Sequence, residues 1–114
     1  MTGTIVFADV FPDHASMLSA GDVHLDVARY QAFVGGTPVA LTYQEFELLR
    51  LLLSKRDRIL LYDELVQGLW HGATVGSHRR LGVVVCRLRA KLAGSWPYRI
   101  QTVRGRGYGL TTVM

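Results

Sequence analysis

Basic side chains dominate the last fifty residues of this 114-residue chain, where eight Lys/Arg occur without a single Asp or Glu. Residues 1–64 carry five Lys/Arg and nine Asp/Glu, so the formal charge of +4 conceals an acidic first part and a basic second part. Solvated protein surfaces usually mix the two signs. Clustered cations attract a polyanion, so the chemistry that this pattern favours is electrostatic binding.

Residues that could bind a metal or catalyse a reaction form no comparable pattern. His71, His78 and Cys86 lack ligand spacings such as CxxC or HxxxH, and a fourth ligand is missing, so we expect no metal site and no other cofactor. The run GRGYG lacks the strand-to-helix context and the Lys-Ser/Thr ending of a phosphate loop. We find no set of nucleophile, base and orienting group, and therefore expect no enzymatic activity. Cys86 is either an inert thiol or a redox-sensitive one.

The composition is that of one globular domain, with 49% hydrophobic and 19% charged residues. No apolar run approaches the roughly 20 residues that cross a bilayer, and the first residues lack the pattern of a secretory signal. A single cysteine excludes an internal disulfide and is typical of a reducing compartment. We therefore expect a cytoplasmic protein without a membrane partner.

Strand patterns precede the first predicted helix. Residues 23–27 alternate between apolar and polar, and residues 30–34 and 38–41 flank a Gly35–Gly36 turn, which together predict an antiparallel sheet. The run TIVFADV at residues 4–10 also resembles a strand, but the pattern does not assign it to this sheet.

Three helices are predicted to follow the strands. The run TYQE is a capping box that begins a helix over Tyr43–Ser54, and a second helix is predicted over Tyr62–Trp70. Residues 77–92 are ambiguous, because GVVVC alone would also fit a strand. The spacing of Leu81, Val85, Leu88 and Leu92 favours a helix with one apolar stripe. The chain then ends in YRIQTVRGRGYGL, two strand-like runs around a basic turn.

These motifs, from about Leu18 to Leu110, resemble the DNA-binding domain of OmpR/PhoB-type response regulators. The segments that carry the resemblance are GDVHLD, GGTPVALTYQEFELLRLLL, LYDELVQGLW, RRLGVVVCRLRAKL and IQTVRGRGYGL. The resemblance implies an α+β fold, a winged helix-turn-helix with an N-terminal antiparallel β-sheet, three helices and a C-terminal β-hairpin wing. It also divides the chain into an N-terminal extension of unknown role over residues 1–17 and a DNA-binding domain over residues 18–114.

The third helix of such domains enters the major groove of double-stranded DNA. The resemblance implies that Arg87 makes a bidentate contact to guanine, Arg80 contacts a base or a phosphate, and Val83 contacts a thymine methyl group. Arg79 and Arg89, on the same helix, are better suited to phosphate, which fixes the register of the protein without reading the sequence. The complete set of helix positions that face DNA in the family is Arg79, Arg80, Val83, Val84, Cys86, Arg87 and Arg89.

The wing adds contacts of a second kind. The resemblance implies that Arg104 reaches the minor groove, Thr102 binds phosphate, and Gly105 and Gly107 allow a sharp turn and a close approach to nucleic acid. Arg106 belongs to the same basic turn. The indole N–H of Trp70, at the end of the second helix, is expected to reach the DNA backbone. Tyr108 is expected to pack within the protein.

The chain also departs from the family. Gly82, Val84 and Cys86 occupy positions that are more often polar, which predicts an altered site preference, and Tyr62 replaces the usual small N-cap of the second helix. The receiver domain that usually precedes this module does not fit into the first twenty residues. Family members commonly bind direct repeats as dimers, and we expect a homodimer to be possible here. The alternative is a winged helix that binds protein, with the loop HGATVG contacting RNA polymerase.

Overall fold

A computed structural model describes residues 17–56, 58–72, 74–92 and 98–112 of the protein. The strand-like run at residues 4–10 lies outside these ranges, as does the predicted N-terminal extension apart from Met17. That residue is the first of an observed strand.

An antiparallel sheet of four strands forms the N-terminal layer, in the order β1-β2-β3-β4. The strands are β1 (Met17–Ala20), β2 (Val23–Asp26), β3 (Gln31–Val34) and β4 (Thr37–Val39). The last three confirm the predicted strands with small changes at their ends. β1 was not predicted, because its sequence MLSA has no clear alternation. Its antiparallel pairing with β2, in which Leu18 lies opposite Leu25, makes this segment a strand, which its own sequence does not predict.

Three helices occupy the predicted segments, α1 (Tyr43–Ser54), α2 (Tyr62–Trp70) and α3 (Ser77–Lys91). The capping box of α1 is formed as expected: the Glu45 N–H donates to Thr42 Oγ1 over 3.2 Å, and the Thr42 N–H donates to Glu45 Oε1 over 2.9 Å. None of the helices within the described ranges is long and apolar enough to cross a membrane.

The start of α2 differs from the expectation that Tyr62 is its N-cap. Leu61 is the N-cap residue, and its N–H donates to Glu64 Oε1 over 2.9 Å. The Arg58 guanidinium, with Nη2 2.9 Å from Glu64 Oε2, and the Leu61 N–H lower the pKa of Glu64 to about 2. Glu64 thus accepts from the N–H of the N-cap residue, while the Leu61 side chain makes no capping hydrogen bond.

A second sheet contains the hairpin and joins it to the start of α2. Its strands are β5 (Leu60–Leu61), β6 (Tyr98–Val103) and β7 (Gly107–Thr112), in the order β5-β7-β6. Leu61 pairs with Gly107, where a Cβ atom would lie 1.8 Å from the carbonyl oxygen of Leu60. Gly107 is thus required for close packing within the protein, which corrects the expectation that it serves an approach to nucleic acid.

The hydrophobic core lies between the two sheets and the helices, and α1 contributes more of its large side chains than any other element. Phe46, Leu48, Leu49 and Leu52 of this helix are each no more than 2% exposed. The stripe predicted for α3 is confirmed, because Leu81, Val85 and Leu88 belong to the same core and Leu92 follows at 4% exposure. The buried stripe leaves the remaining faces of α3 available to other contacts.

Gly82→Ala is expected to raise the free energy of unfolding by about 0.5–1 kcal/mol, because alanine loses less backbone entropy than glycine in a helix. Within the part of the chain that the structure describes, the atom nearest to the added Cβ is the Tyr108 hydroxyl oxygen at 4.0 Å, so no clash there offsets this gain. Urea denaturation followed by circular dichroism would measure the change. A loss of stability would contradict the helical packing at Gly82.

Candidate nucleic-acid interface

α3 carries most of the predicted interface on its exposed faces. Its sequence, SHRRLGVVVCRLRAK, contains five Lys/Arg and no acidic residue. The helical period that buries Leu81, Val85 and Leu88 exposes six of the seven predicted side chains on this helix: Arg79, Arg80, Val83, Cys86, Arg87 and Arg89. The exposed surface of the helix is therefore basic, with Val83 (43% exposed) as an apolar group within it.

Val84 does not share this exposure. It is 7% exposed and belongs to the hydrophobic core, so its side chain is not available to a partner outside the protein. The reason is helical geometry, since Val84 follows Leu81 by three residues and precedes Leu88 by four, which brings all three to one side. The expectation that its side chain faces DNA therefore does not agree with its burial.

Trp70 packs against a predicted DNA-binding residue. The Arg80 guanidinium carbon lies 4.5 Å from the centroid of the indole ring, within the range of a cation–π contact. Trp70 Nε1 is buried and has no hydrogen-bond partner among the described residues. The predicted contact between this N–H and a DNA backbone would require a rearrangement around the indole.

The wing, which consists of β6, β7 and the turn at residues 104–106, ends in two exposed arginines. The Arg106 N–H donates to the Val103 carbonyl oxygen over 2.9 Å and closes the turn. Gly105 has a φ of +75°, a left-handed conformation that disfavours residues with a Cβ atom. Arg104 and Arg106 flank this glycine at the end of the hairpin, and both side chains are exposed.

Arg89 links α3 to the wing. Its guanidinium donates to the Ile100 carbonyl oxygen, over 2.6 Å from Nη2 and 3.2 Å from Nε, and to Thr102 Oγ1 over 2.8 Å. Arg89 and Thr102 were both expected to bind phosphate. Here they bind each other, which sequence reasoning did not anticipate, because 13 residues separate them and no local pattern signals the pair.

Tyr108, in strand β7 of the wing, packs its side chain within the protein. Its ring contacts that of Tyr62 edge-on, with centroids 5.8 Å apart. Burial raises the pKa of Tyr108 above its usual value, Tyr62 adds to this effect and Arg89 opposes it. The residue is 9% exposed, in agreement with the packing role expected for it.

An ion pair at Lys91, the last residue of α3, ties the same end of the helix to α1. Lys91 Nζ donates to Glu45 Oε1 over 2.6 Å and to the Ala40 carbonyl oxygen over 2.9 Å. Burial opposes ionisation of Glu45, but the bonds from Lys91 and Thr42 outweigh it and hold the pKa of this carboxyl below its usual value.

Within the described ranges, no group of three or more His, Cys, Asp or Glu could hold a metal ion.

The three helices and the C-terminal hairpin define a winged helix-turn-helix domain. The family described as "Transcriptional regulatory protein, C terminal" matches residues 36–110. The sensory transduction protein RegX3 of Mycolicibacterium smegmatis is 38% identical over 96 residues, which cover 82% of this chain and 42% of that protein.

Two solved DNA-binding domains are similar to the chain. That of Klebsiella pneumoniae RstA, in complex with the RstA box, is 35% identical with a TM-score of 0.71, over 82% of this chain and 94% of that one. The DNA-binding domain of CpxR from E. coli is 27% identical with a TM-score of 0.76, over 86% of this chain and 98% of that one.

The chain belongs to the family of C-terminal domains of transcriptional regulatory proteins, of the OmpR/PhoB type. It spans about two-fifths of the length of the curated relatives that it matches, 42% in the case of RegX3.

Proposed function

We propose that the chain is a sequence-specific, double-stranded DNA-binding module of a transcriptional regulator. α3 would enter the major groove, and Arg104 of the wing would enter the adjacent minor groove. The observation that carries the proposal is the acid-free, exposed surface of α3, joined to the basic turn of the wing through Arg89. The RstA domain, which was solved with its RstA box, supports this function at 35% identity.

The exposed residues of α3 divide into two roles in this proposal. Arg87 reads a guanine through its planar guanidinium, and Val83 contacts a thymine methyl group. Arg79 binds phosphate, while Arg80, stacked on Trp70, binds phosphate or a base. Cys86 lies on the same exposed surface, whereas the buried Val84 is left out of the contact set.

The wing supplies a second set of contacts to DNA in this proposal. Arg104 and Arg106 bring positive charge to the phosphates and to the minor groove, where a guanidinium is well accommodated.

Residues 18–114 form the DNA-binding domain in this proposal. Because the ligand is chromosomal DNA, the module would act in the cytoplasm of a bacterial cell, and two copies would bind direct repeats head to tail.

The affinity for duplex DNA is expected to fall steeply with salt. If about five phosphates are neutralised, the logarithm of the association constant should fall with the logarithm of the salt concentration at a slope of about −4 to −5. Fluorescence anisotropy with random and with selected duplexes, at several salt concentrations, would measure this slope. Absent or salt-insensitive binding would contradict the proposal.

The second candidate is a protein-interaction module. Val75, in the loop between α2 and α3, is fully exposed at 102%, and a large apolar side chain without cover is available to a partner such as RNA polymerase. Val75→Ser would weaken such a contact and leave the affinity for DNA unchanged. The same salt titration separates the candidates, since a protein-binding module needs no affinity for duplex DNA.

A further inference from the structure

The guanidinium of Arg89 is held against β6 by the three hydrogen bonds described above, which engage its Nε and Nη2 atoms. Its acceptors belong to a well-ordered part of the fold, because Ile100 is 3% exposed and lies in the hydrophobic core. One planar group thus fixes two points along β6, the backbone at Ile100 and the side chain at Thr102. Such a forked geometry is specific to arginine and is not reproduced by lysine.

The two fixed points lie directly before the turn of the wing. Arg104 follows Thr102 by two residues, and β6 pairs with β7 up to the partners Val103 and Gly107. The position of β6 relative to α3 therefore sets the position of the Arg104 side chain relative to α3. A duplex that is contacted by both Arg87 and Arg104 requires this relation to be fixed.

The bond to Thr102 also orients a hydroxyl group. Because Thr102 Oγ1 accepts from Arg89, its own proton is left free for an acceptor outside the protein. Thr102 is exposed, so a phosphate oxygen could be that acceptor. Hydrogen bonds in a chain strengthen one another, and the charged donor makes the Thr102 hydroxyl a better donor in turn.

We propose that Arg89 is a positioning residue for DNA binding: it holds the wing on α3 and orients the Thr102 hydroxyl, and does not itself bind phosphate. The inference rests on the proposed function, because it assigns the means by which the two DNA-binding elements act on one duplex. A direct phosphate contact by Arg89 is the competing role, and the two roles predict different results for Arg89→Lys, which keeps the charge and removes the fork.

The first test needs no DNA. In Arg89→Lys, we expect the amide protons of the hairpin, including the Arg106 N–H, to exchange at least about threefold faster than in the wild type, because β6 loses its anchor. The amides of α1 serve as the internal reference and should be unchanged. Equal exchange in the hairpin of both proteins would overturn the positioning role. Thr102→Val, which removes only the hydroxyl, is a second variant, and we expect it to speed exchange in the hairpin less than Arg89→Lys does.

The second test is a double-mutant cycle with Arg104→Ala, measured as affinity for a selected duplex. If Arg89 positions the wing, Arg104→Ala should reduce affinity at least about threefold less in the Arg89→Lys background than in the wild type, since coupled residues are not additive. Equal reductions in both backgrounds would show independent contacts and overturn the inference. Arg29→Lys, on the N-terminal layer, is the matched control and should leave affinity unchanged.

The two tests separate failure of the inference from failure of the proposed function. A wild-type protein that does not bind duplex DNA, with a hairpin that is loosened by Arg89→Lys, would overturn the proposed function and the DNA-binding role of Arg89 with it. A wild-type protein that binds DNA, with an additive cycle, would overturn the inference alone. Faster exchange in the hairpin of Arg89→Lys together with a non-additive cycle is the result that we expect.

Discussion

Gly107→Ala is expected to lower the free energy of unfolding by about 4 kcal/mol, more than the usual cost of overpacking, because the clash is with backbone atoms. The new Cβ would lie 1.8 Å from the Leu60 carbonyl oxygen and 2.9 Å from Leu61 Cα, and both are backbone atoms that cannot rotate away. Either β5 separates from β7 or the hairpin moves, and both changes disrupt the start of α2, where the Tyr62 N–H donates to the Arg106 carbonyl oxygen over 2.9 Å. Chemical denaturation would measure the loss.

Gly105→Ala is the matched control within the same hairpin. No atom of the described residues lies within 4 Å of a Cβ at this position, so among them only the φ of +75° opposes the substitution. A left-handed conformation costs a residue with a Cβ about 1–2 kcal/mol, so a much smaller loss is expected. If the two variants were equally stable, the close approach of β5 to β7 would not exist in solution.

Arg87→Ala is expected to reduce affinity for the preferred duplex about 10- to 100-fold, which corresponds to the loss of one bidentate base contact. Affinity for random duplexes should fall much less, because nonspecific binding depends on the total charge and not on one base contact. Arg104→Ala is expected to weaken binding to most sequences, because it removes a positive charge at the minor groove that makes no base-specific hydrogen bond. Binding assays with selected and random duplexes, performed at one salt concentration, would separate the two effects.

The ratio of the two affinities is the decisive quantity for Arg87. An exposed arginine of the N-terminal layer, Arg29, provides the control for loss of one positive charge, and Arg29→Ala should leave the ratio unchanged. If Arg87→Ala weakened binding to all duplexes equally, Arg87 would be a phosphate contact, and the assignment of base reading to this residue would be wrong.

Much of the fold could be predicted because its signals are local. The capping box at Thr42 and the apolar periods of α1 and α3 predicted helices that the structure confirms. The strand over Met17–Ala20 could not be predicted, because its sequence lacks a period and its order comes from pairing with β2. For the candidate interface, the sequence predicted the basic helix and the basic turn, and six arginines of this set are exposed in the structure: Arg79, Arg80, Arg87, Arg89, Arg104 and Arg106.

Three features of the site depend on contacts between distant segments. Gly107 was expected to approach nucleic acid, but it approaches Leu60 instead. Val84 was expected to face DNA, but it lies on the same face of α3 as Leu81 and Leu88, and all three side chains are buried. Arg89 was expected to bind phosphate, and the structure adds a contact between its guanidinium and β6 that no local pattern predicts.

The sequence by itself determined the helices, the wing and the division of charge, because helical periods, caps and runs of like charge are properties of neighbouring residues. Only the tertiary structure decided which of the basic and apolar residues near the interface remain available to a partner. The physical reason is that burial and hydrogen bonding depend on segments far away in the chain, as the bond between Arg89 and Ile100 illustrates.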